Sequence, residues 1–274
     1  MWREIKTIVL IGVCSAVWVA YIFINPYEGN IDLSELILQL SGSAGEFCLG
    51  TSLPELIGFM LRMLPNYIIM LVLGINIYRY FCTASVYIFS RCSKRYKWYM
   101  KIIFYLFVEV LIYEIIFVAT AILITVLRYE VVIDYRGFYV SGYHIFLYTI
   151  WNLAWILLIN ICAIKKGSSN SFLMAIGIQI FFTASLNIIT ILESYNVPDK
   201  IIERIINFNP VAHTVLGWHS GVFFNERLMG NHHSMDMSET IVLILIFGIS
   251  TVLIGNILIQ RHDLLVENIE IGVM

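Results

Sequence analysis

Charge is what this chain has least of. Only 13% of its 274 residues are Asp, Glu, Lys or Arg, against about 25% in soluble domains. Hydrophobic residues make up 59%, and the mean hydropathy is +0.83. A water-soluble fold of this size has no place to hide so much apolar surface. A net charge of −2 leaves no footprint for nucleic acid. These balances point to an all-α polytopic membrane protein whose first partner is the lipid bilayer.

Several chemical signatures are missing as well. No GxxxxGK[ST] occurs, so the chain has no P-loop and cannot hydrolyse ATP by itself. No HExxH occurs, which removes the zincin metal site. The five cysteines, at 14, 48, 82, 92 and 162, form no CxxC pair and no Cys/His zinc spacing. Only Cys48 falls on the expected outer side, so no intrachain disulfide is expected. GWHSG at 217–221 sets Ser220 before a glycine, but a nucleophile elbow also needs glycine two residues earlier, where Trp218 stands. His232-His233 is an adjacent pair in a polar loop, which reads as solvated rather than metal-binding. No catalytic residue, metal ligand or cofactor is assigned to this chain. No internal repeat, low-complexity run or linker divides it, so residues 1–274 read as one transmembrane domain.

What is there is apolar length. A hydrocarbon core needs about 20 apolar helical residues. Six segments qualify: Ile8–Ile24, Pro65–Phe89, Ile102–Leu127, His144–Ile164, Ser171–Leu192 and Thr240–Gln260. The first could pass for a signal peptide. It is followed by bulky YIFINPYEG rather than a small-residue cleavage site, so it reads as a retained span. With both termini cytoplasmic, ten Lys and Arg fall inside: Arg3, Lys6, five within 91–101, Lys165, Lys166 and Arg261. Six fall outside, Arg62, Arg128, Arg136, Lys200, Arg204 and Arg227, and Arg79 lies within the second span. The longer outer loops make the difference in basic density larger still, as the positive-inside rule requires.

The expected outer loops hold short amphipathic pieces. ELILQL at 35–40 and LPELIGFMLRML at 53–64 are two of them. In the loop between spans 5 and 6, Ile201, Ile202, Ile205, Ile206 and Phe208 recur at helical spacing. That helix should end near Asn209-Pro210, because the residue before a proline disfavours the α conformation. The apolar stretch from Val215 to Phe224 is too short to span and reads as re-entrant or interfacial.

Three charges lie within spans: Arg79 in span 2, and Glu109 and Glu114 in span 3. A structural ion pair across the hairpin is one reading, since either acid is at a depth to meet the arginine. The other is that the second glutamate lines a substrate or proton path. Polar residues Asn76, Gln179, Thr183 and Asn187 permit the same two readings, interhelical hydrogen bonding or a partly hydrated path. The last three are four residues apart and share one helix face. Between spans 2 and 3 stands RCSKRYKWYMK, 91–101, with five basic residues and no acid. Tyr96, Trp98 and Tyr99 interleave with them, which also suits anchoring to anionic lipid headgroups.

Six spans with both ends inside, SRCSKRYKWYMK (Ser90–Lys101) between spans 2 and 3, and Asn209-Pro210 before an apolar stretch together resemble a known family. The chain looks like the permease subunits of type 2 ATP-binding-cassette exporters, in their short bacterial form. The resemblance is architectural and covers nearly the whole chain. It departs in having only about seven residues before span 1, where the family often has an amphipathic cytoplasmic helix. It implies ATPase coupling through Arg91, Lys94, Arg95, Lys97 and Trp98, and an outer re-entrant segment at Asn209 and Pro210. It further implies two copies of a separate P-loop ATPase carrying ATP and Mg, a second permease copy, and residence in a bacterial plasma membrane. Export of a peptide or lipid-like amphipathic molecule follows as the expected activity. Two other classes stay open: a stand-alone immunity or sensor protein whose basic loop touches lipid, and an intramembrane enzyme using Glu109, Glu114 or the outer histidines.

Overall fold

A computed structural model describes residues 2–26, 29–42, 53–79, 95–186, 192, 195, 197–220 and 235–261. Helices dominate: α1 (Trp2–Ile22), α2 (Leu33–Ser41), α3 (Leu53–Leu73), α4 (Arg95–Arg128), α5 (Tyr135–Lys166), α6 (Ser168–Ser185), α7 (Asp199–Phe208) and α8 (Met237–Arg261). Five stretches are long and apolar enough to cross a bilayer: Ile5–Ile22, Ile57–Arg79, Arg95–Arg128, Tyr135–Lys166 and Met237–Gln260. The protein is thus a multi-pass helical membrane protein. The fifth expected span begins as α6, whose 18 residues are interrupted by Ser, Asn and Gln. Its last part, 187–191, lies outside the described residues.

The helices alternate in direction. Arg128 Nη1 donates to the Ala20 carbonyl at 3.1 Å, and Gly12 faces Ile116, so α1 and α4 run parallel. Asn152 on α5 meets Glu114 on α4, and Tyr148 stacks on His144 beside Phe117, so α5 returns antiparallel. Gly248 lies against Ile150 and Gly255 against Ile161, which sets α8 parallel to α5. One end of the bundle therefore collects Arg95, Lys97, Lys165 and Lys166. The opposite end collects α2, α7 and two parallel ribbons, β1 (Asn30–Asp32) with β2 (Glu130–Val132) and β3 (His219–Ser220) with β4 (Met235–Asp236).

Close approach fixes two crossings. A Cβ on Gly255 would run into the Tyr99 ring, which is fully buried. A Cβ on Gly137 would fall 2.6 Å from Leu33 Cβ, so only glycine lets α2 lie this close to α5.

One sequence expectation is corrected. LPELIGFMLRML is not a separate outer element: α3 begins at Leu53 and runs through Pro65 without a break. Arg62, expected outside, is consequently drawn into the bundle and is only 4% exposed. Proline inside a helix lacks an N–H and frees the carbonyl four residues earlier. Here the Trp18 indole Nε1–H of α1 donates to that Leu61 carbonyl at 3.3 Å, and the Tyr113 hydroxyl of α4 donates to the Pro65 carbonyl at 3.1 Å. A neighbouring helix thus re-satisfies the freed Leu61 carbonyl, as a membrane interior demands, while the Tyr113 bond ties α4 to α3 beside it. Trp18→Phe, which keeps the ring and removes the donor, is expected to lower stability by about 1 kcal/mol. Thermal unfolding in detergent reads it, and a midpoint equal to wild type would show that Leu61 needs no partner.

Candidate functional site

The deepest polar constellation lies between α3, α4 and α5. On α5, His144, Tyr148 and Asn152 are four apart and form one stripe. On α3, Arg62 and Asn66 do the same. On α4, Tyr113 and Glu114 meet them. Asn152 Nδ2 donates to Glu114 Oε1 at 2.7 Å and to Asn66 Oδ1 at 3.0 Å. Asn66 Nδ2 donates in turn to Met63 Sδ at 3.3 Å. Glu114 is 1% exposed and Asn152 fully buried, so one carboxamide ties three helices together in the interior.

A small cavity opens beside this knot. It is bordered by Arg62, Asn66, Glu114, His144 and Tyr148 among others, and has room for about one water molecule. The His144 ring is sandwiched between Tyr148 and Phe117, with centroids 4.4 and 6.4 Å away. Neither of its nitrogens has a hydrogen-bond partner among the described residues. The cavity therefore offers a carboxyl, a guanidinium and an imidazole to a small polar guest. Among the described residues no group of three His, Cys, Asp or Glu is placed to hold a metal ion.

No family model, curated protein or solved structure matches this chain.

Function must accordingly be argued from geometry. Arg79 is exposed at the end of the helical turn 76–79, where the adjacent Tyr78 N–H donates to Asn160 Oδ1 at 3.1 Å. Asn160 and Asn152 are eight residues apart on α5, about 12 Å of helical rise. Glu114 thus sits a level deeper than Arg79, beside Asn152 and the Arg62 cavity, and Glu109 is buried on the intervening stretch of α4. Asn76 is half-buried just past the turn at Gly74. Gln179 Nε2 donates to Met70 Sδ of α3 at 3.3 Å, and Thr183 Oγ1 to the Gln179 carbonyl at 2.8 Å. Both side chains are buried, and Asn187 lies outside the described residues. Of the basic segment, Arg91 and Lys94 also lie outside them, whereas Arg95, Lys97 and Trp98 form the first turn of α4. His232 and His233 are outside them too.

The segment after α7 is a buried plug at the far end. Asn209 uses both halves of its carboxamide. Its Nδ2 donates to the Phe182 carbonyl at 2.8 Å and to Ser185 Oγ at 3.0 Å, at the end of α6. Its Oδ1 accepts from the Val211 N–H at 2.9 Å, starting the next turn. Pro210 follows in that turn, and two 3-10 turns, Ala212–Thr214 and Leu216–Trp218, complete the plug. Val211, Ala212, Val215 and Leu216 are all buried. The Tyr148 hydroxyl donates to the Thr214 carbonyl at 2.9 Å, so the plug rests on the residue that roofs the His144 cavity.

Sequence patterns assign no site role to Arg62, His144 or Tyr148. The spacing of four on α3 and α5 was the available signal. It was obscured because Pro65 reads as a helix boundary and His144 as a span end.

Proposed function

We propose that this chain is the membrane-embedded permease subunit of a bacterial transporter driven by a separate P-loop ATPase, exporting a peptide or an amphipathic, lipid-like molecule. The observation that carries the reading is the unbroken helix α4. Its 34 residues, Arg95–Arg128, span about 51 Å, while the hydrocarbon core is about 30 Å thick. The basic first turn therefore rides on a rigid rod that extends beyond the lipid and continues into the Glu114–Asn152 level. A motor seated on Arg95, Lys97 and Trp98, with Arg91 and Lys94 preceding them in the sequence, moves that interior through one continuous helix from Arg95 onward. Five membrane-length helices with basic residues gathered at one end of the bundle support the same reading, as does the resemblance in the order of its parts. In this arrangement two copies of the chain face each other, two ATPase subunits bind ATP and Mg, and nucleotide shifts a two-state equilibrium by its differential affinity.

Exposed Tyr96, Phe104 and Tyr105 beside Lys97 and Lys101 favour a second reading, in which the basic turn anchors a stand-alone protein to anionic headgroups. The test is co-purification of the tagged chain from its native membrane. The transporter reading expects no ATPase activity from the chain alone and a stoichiometric P-loop ATPase subunit in the complex. Recovery of the chain without such a subunit, under conditions that keep known membrane complexes intact, overturns it.

A further inference from the structure

Two histidines of the plug share one hydroxyl. His213 Nε2 lies 2.9 Å from the Asn207 carbonyl, and His213 Nδ1 lies 2.9 Å from Thr240 Oγ1 at the start of α8. Thr240 Oγ1 lies 3.4 Å from His219 Nε2, whose Nδ1 lies 3.3 Å from the Tyr143 hydroxyl of α5. A carbonyl only accepts, so His213 Nε2 carries the hydrogen. In the neutral ring Nδ1 is then the acceptor, and the Thr240 hydroxyl donates to it. The Thr240 oxygen is left to accept from His219 Nε2–H, and His219 Nδ1 accepts from the Tyr143 hydroxyl. Every bond of the chain is made when both rings are neutral. His213, His219 and Thr240 are all buried.

A proton on His213 breaks this order. Nδ1–H would then point at the Thr240 oxygen, and only a switch of His219 to its Nδ1–H tautomer would leave the threonine hydrogen an acceptor, at the cost of the bond that His219 Nδ1 accepts from the Tyr143 hydroxyl. A second proton, on His219, would put two cations on one hydroxyl. We infer that His213 and His219 form a proton-binding site whose occupancy releases the 209–219 plug from α5 and α8, so that acid opens this end of the bundle.

The surroundings bear on the sign. From α8, Glu239 favours the charged form of His213, and the Asn207 carbonyl does so too. Burial outweighs both and holds its pKa below the ordinary histidine value. Burial, with the neighbouring His213, pushes His219 down to about 3. From α5 come Tyr143, in edge contact with His219 at 5.6 Å, and Tyr139. Asp236 on β4 acts on Tyr143. The charged side chain of α2, which packs on the 216–218 turn, is Glu35, hydrogen-bonded by Gln39 at 3.2 Å. Both rings titrate lower when the plug is seated than when it is free. The seated state is thus fully favoured above about pH 6.5, and that advantage is lost as pH falls toward the seated values.

The inference rests on reading this segment as the outer seal of the proposed permease, but its test needs only the purified full chain. Hydrogen–deuterium exchange of peptides covering 207–220, corrected for intrinsic rates, is compared at about pH 7.5 and about pH 5. Protection is expected to fall about 30-fold, the effect of one histidine titrating near 6.5 free and near 3 seated, while peptides of α5 from 150–160 keep theirs. In His213→Gln/His219→Phe the plug's protection should be flat with pH. In Thr240→Val it should be low at both values. A wild-type profile flat with pH, or a double variant as steep as wild type, overturns the latch. An absent ATPase partner leaves this result untouched, and a flat profile leaves the co-purification untouched, so the two readings fail separately.

Discussion

Reversing Lys94→Glu, Arg95→Glu and Lys97→Glu together is expected to weaken association with the ATPase subunit by about 100-fold or more. Each change turns an attraction into a repulsion. None of the described side chains involved is buried: Lys97 is exposed and Arg95 half-buried, so the interior keeps its contacts and the fold should survive. Pull-down at rising salt reads the loss, because contacts between exposed charges are screened within a Debye length. The lipid-anchor reading expects something else, loss of binding to vesicles containing phosphatidylserine with any protein complex intact. An ATPase complex that survives all three reversals removes the basic turn from the coupling contact. A complex that dissolves while vesicle binding persists places the turn against protein.

Asn152→Leu is expected to lower stability by about 3 kcal/mol, read as a thermal midpoint lower by about 8 °C. The side chain is nearly the same size, so the loss is polar. Glu114 Oε1 and Asn66 Oδ1 both lose the donor that serves them, and an unserved buried acceptor costs more than a hydrogen bond adds. Glu114→Leu/Asn152→Leu should therefore be less destabilised than the sum of its single changes, because the most costly orphan has been removed as well. Additive losses would show that the two side chains do not depend on each other. Glu114→Gln separates structure from transport. It keeps the shape and an acceptor oxygen, so a stable protein with transport unchanged would confine Glu114 to holding α4 against α5. A stable protein with transport abolished would make it part of the path.

The outer segment shows how local chemistry reads through. Ile201, Ile202, Ile205 and Ile206 announce an amphipathic helix, and α7 ends at Phe208, one residue before the Asn-Pro step that disfavours continuation. Gly167 with φ of 79° makes the tight KKGSSN turn that joins α5 to α6. Pro65 misleads by the same logic. In water it would mark a boundary, but between helices that supply Trp18 and Tyr113 as donors it is absorbed, and α3 gains three turns.

Membrane class, the presence of several long apolar helices and the gathering of basic residues are properties of the sequence by itself, because each depends on length, composition and nearest neighbours along one helix. Which buried polar groups meet is a different matter. Helical periodicity assigns Glu114 and Asn152 to faces, but the partner is chosen by the register of α4 against α5, which the apolar packing along both helices sets. The same packing put Arg62 beside a cavity rather than in water, and set two histidines of the plug on one threonine that is 27 residues from His213 and 21 from His219 in the chain. Tertiary structure alone decided those meetings, since hydrogen bonds reach about 3 Å and nothing in a linear pattern fixes a distance that short between separate helices.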